Sequence, residues 1–167
     1  MKNTSTSTNE LKVTTPSDRE IMLVRSFDAP RHLVFEAMTR PELVRRWLLG
    51  PPGWTMPICE IDLRVGGSFR YLWRHADGNE MQMSGVYREI EAPGCLVNTE
   101  RFDHGCAAQA GESLGTAVLT EKDGKTTVTT TVLYPTKEAR DGVIASGMEH
   151  GVKAGYDRLE EILAERL

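Results

Sequence analysis

The last quarter of the chain, residues 136–167, carries the pattern that most constrains the fold. Apolar residues recur there at alternating three- and four-residue steps, and charged residues occupy most positions between them. This spacing predicts a short helical lead-in followed by a long amphipathic C-terminal helix. Because a helix with one apolar face must bury that face, the rest of the chain has to supply a surface that covers it.

Three glycines recur along this helix at four-residue intervals, so Gly147, Gly151 and Gly155 share one stripe. Each glycine lowers helix stability by about 1 kcal/mol relative to alanine. The stripe therefore predicts either a close approach of another backbone or a hollow beside the helix. No run of about 20 apolar residues surrounds the glycines, which argues against a pair of membrane helices.

Composition limits the chain to a few protein classes. Its 167 residues suit one domain, and a 40% hydrophobic content with a net charge of -4 is typical of a globular protein without a nucleic-acid or membrane-surface footprint. Cys59, Cys95 and Cys106 are scattered and odd in number, which favours reduced thiols in the cytoplasm. We expect a disordered polar tail over residues 1–10 and a single domain over residues 11–167.

Strand patterns occupy most of the remaining chain. A first strand is followed by two short helices, for which Asp28 is the expected first cap and Thr39 with Glu42 has capping-box spacing. Short turns join the six later strands, which makes them antiparallel. The predicted strands are 19–27, 54–64, 68–75, 80–91, 96–103, 114–122 and 125–134. The sequence thus predicts an α+β fold in which a curved antiparallel sheet wraps round the C-terminal helix.

Alternation along the strands predicts which side chains face the interior. The predicted interior residues are Phe69, Tyr71, Trp73, Met81, Met83, Tyr87, Val128, Thr130 and Val132. Leu72, Val86 and Ile90 would then point outward, and an exposed patch formed by them would favour a homodimer over a monomer.

A series of short motifs runs in order over nearly all of residues 19–167. These motifs are Phe27-Asp28-Ala29-Pro30, Val34-Phe35-Glu36-Ala37, Thr39-Arg40-Pro41, Trp47, Gly50-Pro51-Pro52-Gly53, residues 61–67, Gly85-Val86-Tyr87, Glu138-Ala139-Arg140 and Tyr156-Asp157-Arg158-Leu159. Together they resemble those of one known family, the activator of heat-shock-protein-90 ATPase homologues, within the START-like helix-grip superfamily. The motifs are helix entries, hairpin turns and helix-packing segments rather than a catalytic signature. The chain has Leu48 where members of that family often carry a second aromatic residue.

The resemblance implies a helix-grip fold with a hollow between sheet and C-terminal helix, which the superfamily uses to hold apolar or polycyclic small molecules. Aromatic residues and methionines suit such a cavity, because methionine adapts to irregular shapes and ligand cavities are mainly apolar. The predicted lining residues are Trp47, Trp54, Phe69, Tyr71, Trp73, Met81, Met83, Tyr87, Arg101, Met148, Val152 and Tyr156. Arg101 is included because an inward guanidinium would orient an anionic group.

Other kinds of site find little support in the sequence. The histidines form no metal-ligand spacing, no nucleophile elbow is present, and Gly66-Gly67 lies in a hairpin rather than in a phosphate loop. Asp62 and Arg64 are expected to fasten that hairpin. Glu100 is a polar strand residue to which the sequence assigns no role. We therefore expect no metal and no cofactor.

Three functions follow from these patterns. The first is binding of a small hydrophobic ligand, a lipid or a polycyclic or polyketide-like molecule, without chemical conversion. The second, taken from the resemblance, is regulation of a chaperone of the heat-shock-protein-90 type through a surface near residues 40–54. The third is a cyclase- or hydrolase-type enzyme, which would require an inward carboxylate or histidine with a shifted pKa.

Overall fold

The computed structural model describes residues 9–103 and 111–167. Most of the predicted tail and part of the loop after residue 103, including His104 and Cys106, lie outside these ranges. The elements are β1 (Lys12–Thr14), β2 (Glu20–Phe27), α1 (Arg31–Thr39), α2 (Pro41–Trp47), β3 (Trp54–Ile61), β4 (Ser68–His75), β5 (Glu80–Glu91), β6 (Cys95–Asp103), β7 (Glu112–Lys122), β8 (Lys125–Leu133), α3 (Lys137–Ala145) and α4 (Met148–Arg166).

All neighbouring strands pair antiparallel in the order β1-β2-β8-β7-β6-β5-β4-β3. This arrangement confirms the predicted α+β helix-grip fold. The sheet has one strand more than predicted, because the three residues of β1 pair with the edge of β2. So short a strand leaves no alternation that a sequence pattern could reveal.

The strand face that packs toward the helices is the one that alternation predicted. On β4, Phe69, Tyr71 and Trp73 are all buried, and on β8 Val128 and Val132 are buried. The apolar side chains of β5 on this face also pack against the same core. We call this side of the sheet its inner face.

Helix α4 is fixed over β2 and against α2. The Tyr156 ring meets the Phe27 ring edge-on at 5.5 Å and the Trp47 ring at 5.8 Å. Leu159 is fully buried on the same helix. Burying a leucine stabilises the fold by about 1.5–3 kcal/mol, so this face of α4 accounts for the amphipathic spacing. An ion pair of 2.9 Å between Arg25 on β2 and Asp157 on α4 also connects the helix to the sheet.

Gly155 brings α4 close to the end of α2, and Gly151 makes an ordinary contact with the segment after α2. A Cβ on Gly155 would lie 3.1 Å from the carbonyl oxygen of Trp47, and a Cβ on Gly151 would lie 3.7 Å from Cδ of Pro51. Gly147 does not belong to α4, because it sits between α3 and α4 with φ +78°. Of the two alternatives left by the sequence, the close approach is therefore the one found.

The predicted helix caps are wrong for the first two helices. Asp28 does not cap α1, whose N-cap residue is Pro30. Thr39 belongs to α1, and its hydroxyl donates to the carbonyl of Phe35 at 2.7 Å, so it cannot cap α2. Asp28 and Thr39 are residue types that often cap helices, but the N-cap residues are Pro30 for α1 and Arg40 for α2. The first helix therefore begins two residues later than predicted and the second one residue later.

The predicted outward patch is also wrong. Leu72 is only 7% exposed. The pairing of β5 with β6 shifts between Tyr87 and Glu89, and Ile90 beyond this bulge packs against the core. A bulge adds one residue to one strand and reverses the faces of the residues after it. Leu72 and Ile90 therefore supply no exposed dimer surface, and Val86 is half-buried.

Candidate functional site

Apolar side chains gather on the inner face where β4, β5 and β6 run side by side. We call the four residues Trp73, Met81, Met83 and Phe102 the inner-face apolar patch. Trp73 pairs with Met81 and Met83 with Phe102 across the strands, and the Trp73 and Phe102 rings lie 6.2 Å apart. Trp73 is buried, whereas the other three remain partly exposed.

The indole of Trp73 anchors the patch to the segment after α2. Its Nε1 donates a hydrogen bond of 2.7 Å to the carbonyl of Leu48. Leu48, the position at which the related family often has an aromatic residue, packs against the core with Leu49. The patch thus lies on paired strands of the sheet, and the hydrogen bond to Leu48 holds the orientation of the Trp73 indole.

Three further residues of the predicted lining are buried and in mutual contact. The Phe69 ring lies 5.0 Å from the Tyr71 ring and 5.5 Å from the Tyr87 ring. Burial raises the pKa of Tyr87 to about 12, and a hydrogen bond with Tyr71 opposes the rise. Both phenols are therefore neutral near pH 7 and offer hydroxyl groups to the interior.

The other predicted lining residues lie outside the patch. Trp47 donates from Nε1 to the carbonyl of Ala37 at 2.8 Å, which fixes α1 against α2. Trp54 packs edge-on against His75 at 5.0 Å. Met148 and Val152 are partly exposed in the first two turns of α4. The structure consequently divides the predicted set into residues of the patch, the buried rings beside it and residues on the helices and strands around them.

Arg101 does not face the interior, so its inclusion in the cavity lining is wrong. Its side chain is 65% exposed and lies 4.0 Å from Glu112 on the neighbouring strand. The inward positions of β6 are those of Leu96, which is buried, and Phe102, which packs against the core. Because strand faces alternate, Glu100 shares this inner face and Arg101 does not.

Glu100 is the ionisable residue that the structure places beside the apolar patch. It lies two residues from Phe102 on the same face of β6, or about 7 Å along the strand. A Cβ on Gly115 of β7 would lie 2.8 Å from its Oε1 atom. Gly115 therefore leaves the space that the carboxyl group occupies.

The surroundings of Glu100 favour its protonated form. Burial raises the pKa of Glu100 from its ordinary value of 4.5 to about 7, and a side-chain hydrogen bond with Asn98 opposes the rise only in part. No cationic group contributes to this shift among the described residues. A carboxyl group in an apolar setting without a positive partner behaves in this way.

Tyrosines rather than cations surround this carboxyl group. Burial raises the pKa of Tyr134, and the negative charge of Glu100 adds to the rise. The pKa values of Tyr71 and Tyr156 are also raised, with burial as the main cause and the charge of Glu100 as a smaller one. The site can therefore donate and accept hydrogen bonds but holds no fixed positive charge next to Glu100.

Sequence reasoning missed part of this site. Alternation counted back from Phe102, the aromatic partner of Trp73, would have placed Glu100 inward. Asn98 and Tyr134 carried no separate signal, because single polar residues in strands are common on either face. The hairpin role expected for Asp62 and Arg64 agrees with their exposed ion pair of 2.8 Å.

Two cavities are found outside the predicted lining, and one of them shares Tyr134 with the surroundings of Glu100. One, of about 510 Å³, lies between the segment that begins at Asn9 and helix α4, and Arg25 contributes to its wall. The other, of about 220 Å³, is lined by residues that include Arg88, Glu112 and Tyr134. Neither is lined by a residue of the predicted set, so the predicted cavity lining stays a prediction.

The described part of the chain offers no alternative centre of a different kind. No group of three or more His, Cys, Asp or Glu residues in residues 9–103 and 111–167 is arranged to hold a metal ion. Over the same ranges, no helix is both long enough and apolar enough to cross a bilayer.

Comparison with known proteins gives the family. The model of the Activator of Hsp90 ATPase homolog 1-like proteins matches residues 28–164. A crystal structure of a protein from Rhodobacter sphaeroides is 31% identical, with a TM-score of 0.86 over 93% of this chain and 99% of that one.

Two further structures support the assignment. A crystal structure from Nitrosomonas europaea is 26% identical, with a TM-score of 0.77 over 92% of this chain and all of that one. The AHSA1-like protein from Aeromonas hydrophila shares the fold at 18% identity, with a TM-score of 0.66 over 84% of this chain and 93% of that one. No curated protein matches. The family match covers most of the chain, and the chain therefore belongs to the Activator of Hsp90 ATPase homolog 1-like family.

Proposed function

We propose that this protein binds a small, mainly apolar ligand between the inner face of the sheet and α4. One observation carries the proposal: Met81, Met83 and Phe102 form a continuous apolar surface on the inner face and remain partly exposed. Apolar groups on the core side of a sheet are normally covered, since each buried methylene contributes about 0.8 kcal/mol. A bound ligand would supply the missing cover.

The make-up of this surface also suits a ligand. Methionine side chains adjust to different shapes, and the Trp73 indole offers a flat face whose polar nitrogen is already bonded to Leu48. Glu100 and the neighbouring tyrosine hydroxyls give the few polar groups that ligand sites use to orient their occupants. Lipids, polyketide-like aromatics and sterols all fit this description.

Ligand-dependent thermal stability tests the proposal. We expect members of at least one of these three classes to raise the melting temperature, because binding to the folded state adds RT ln(1 + [L]/Kd) to its stability. Met83→Lys should abolish the shift by placing a charge in the apolar patch. Gln82→Lys, on the opposite face of the same strand, is the matched control and should keep it.

Absence of a shift with all three classes would contradict the proposal. A shift that survives Met83→Lys unchanged would place the ligand elsewhere, for example in the 510 Å³ cavity beside Arg25.

The family description favours a second candidate, regulation of a chaperone ATPase. The basic side chains of α2 could contribute to a protein-binding surface, although Arg46 already pairs with Glu165 at 2.8 Å. This candidate predicts faster ATP turnover by a heat-shock-protein-90-type chaperone in the presence of the chain. The Gln82→Lys and Met83→Lys variants would then behave alike, which separates it from the ligand proposal.

A further inference from the structure

Glu100 limits which ligands the inner site can accept. Its carboxyl group shares the inner face of β6 with Phe102 and occupies the space left by Gly115, where a Cβ would lie 2.8 Å from Oε1. No ion pair between described residues involves Glu100, whereas the other inner-face charge, Arg25, has two acidic partners. The carboxyl group therefore fills the space beside Gly115 and has no counter-charge among the described residues.

Resting on the proposed function, we propose that the inner site selects apolar ligands that present a hydrogen-bond donor, a hydroxyl or a protonated amine, to Glu100 and rejects those that present a carboxylate. A donor group satisfies the lone carboxyl group with a charge-assisted hydrogen bond. Two carboxylates in one poorly solvated site cannot both stay ionised, so an acidic ligand would have to be protonated there at a loss of affinity.

The neighbouring groups do not reverse this preference. Tyr71, Tyr87 and Tyr156 face the same interior from β4, β5 and α4, and all have raised pKa values because they are buried. Tyr134, which follows β8, has a raised pKa for the same reason. These phenols are neutral between about pH 6 and pH 8. Across that range Glu100 is the group in this set whose charge changes.

Three naphthalene derivatives, with aminomethyl, hydroxymethyl or carboxymethyl groups, test the proposal by calorimetric titration of the full chain. At about pH 8 we expect the amine and alcohol to bind at least about tenfold more tightly than the acid. At about pH 6, where Glu100 is mostly protonated, the difference should shrink severalfold, although the charges of the amine and the acid stay the same.

Glu100→Gln separates the proposal from general apolar binding. This variant should bind the acid more tightly and the amine less tightly than the wild type, and its preference should not depend on pH. Arg101→Ala, on the adjacent outer-face residue, is the matched control and should leave the order unchanged. Circular dichroism of each variant checks that it is folded.

The outcomes distinguish two kinds of failure. If the wild type binds the acid as tightly as the amine at about pH 8, or if Glu100→Gln leaves the order unchanged, the selectivity proposal is wrong while ligand binding stands. The second kind of failure is that none of the three compounds binds and the lipid, polyketide-like and sterol series also gives no thermal shift. The proposed function and the selectivity proposal are then both wrong.

Discussion

The inner face of the sheet carries a charged residue in each of two regions, Arg25 on β2 and Glu100 on β6. The two differ in whether a group of opposite charge lies beside them. On β2, the Arg25 side chain is 2% exposed and bonds to Asp157 at 2.9 Å and to Glu160 at 3.1 Å, while its guanidinium lies 5.4 Å from the centre of the Phe27 ring. On β6, Glu100 has a hydrogen bond from Asn98 but no ion pair among the described residues. Arg25 thus has its counter-charges, whereas Glu100 has none among the described residues.

The contrast shows that burial of a charge does not by itself mark a functional site. A buried charge with its partners in place is a structural feature, and Arg25 ties α4 to the sheet in this way. A buried charge without a counter-charge reduces stability, and such groups are concentrated at sites that bind or react. The absence of a partner, rather than the burial, is what distinguishes Glu100.

The largest effect should come from changing Glu100 itself. The folded protein keeps the proton on Glu100 up to about pH 7, whereas the unfolded chain loses it near the ordinary value of 4.5. The free energy of unfolding should therefore fall by about 3 kcal/mol as the pH rises through this range. Glu100→Gln removes this component, so the variant should match the wild type at pH 4 and exceed its stability by about 3 kcal/mol at pH 8.

Urea denaturation of both proteins across this pH range measures the difference. If the two stability curves stay parallel, Glu100 titrates in the folded protein as it does in the unfolded chain, and the contrast with Arg25 disappears.

Removal of the Arg25 guanidinium should produce the next largest effect, with the opposite sign. Loss of one partner of a fully buried ion pair destabilises a protein by about 3–5 kcal/mol. Asp157 and Glu160 are 46% and 40% exposed and can regain water, so we expect Arg25→Met to lose about 2 kcal/mol. Denaturation by urea near pH 7 gives the value.

Arg74→Ala is the control for this prediction, because Arg74 forms an exposed pair with Glu80 on the other side of the molecule. It should change stability by less than about 0.5 kcal/mol. Equal losses in Arg25→Met and Arg74→Ala would show that the Arg25 pair contributes no more than a surface pair.

The smallest effect should come from the neighbour of Glu100. Arg101 is exposed, and its guanidinium lies 4.0 Å from the carboxylate of Glu112. Arg101→Ala should change the free energy of unfolding by less than about 0.5 kcal/mol at every pH. A loss as large as that of Arg25→Met would mean that the two faces of β6 have been assigned the wrong way round.

The sequence predicted the architecture because its signals were long or repeated. Phe69, Tyr71 and Trp73 alternate over a whole strand, and this alternation placed them correctly on the inner face. The terminal helix was equally clear from its spacing, although the sequence could not tell whether Gly155 faced a hollow or another backbone. That distinction depends on Trp47, which is more than 100 residues away in the chain.

The site was harder to predict because it depends on single residues. Glu100 and Arg101 are adjacent, and only the alternation counted back from Phe102 indicates that Glu100 is the one that turns inward. Arginine was favoured because its role as an anion-binding group is easily stated, whereas a lone inward carboxylate is unfavourable in most proteins. The bulge near Tyr87, which moved Ile90 to the inner face, similarly has no local sequence signal.

The tight packing between Gly155 and Trp47 limits how a ligand could reach the interior. With only 3.1 Å between the carbonyl oxygen of Trp47 and the position of a Cβ on Gly155, the end of α2 and the middle of α4 are in close contact. The carboxyl-terminal end of α4 is joined to α1 as well, because Arg166 forms an ion pair of 2.7 Å with Glu36. We therefore expect the proposed ligand to enter where β5 begins and β6 ends, beside the partly exposed side chains of Met81 and Phe102.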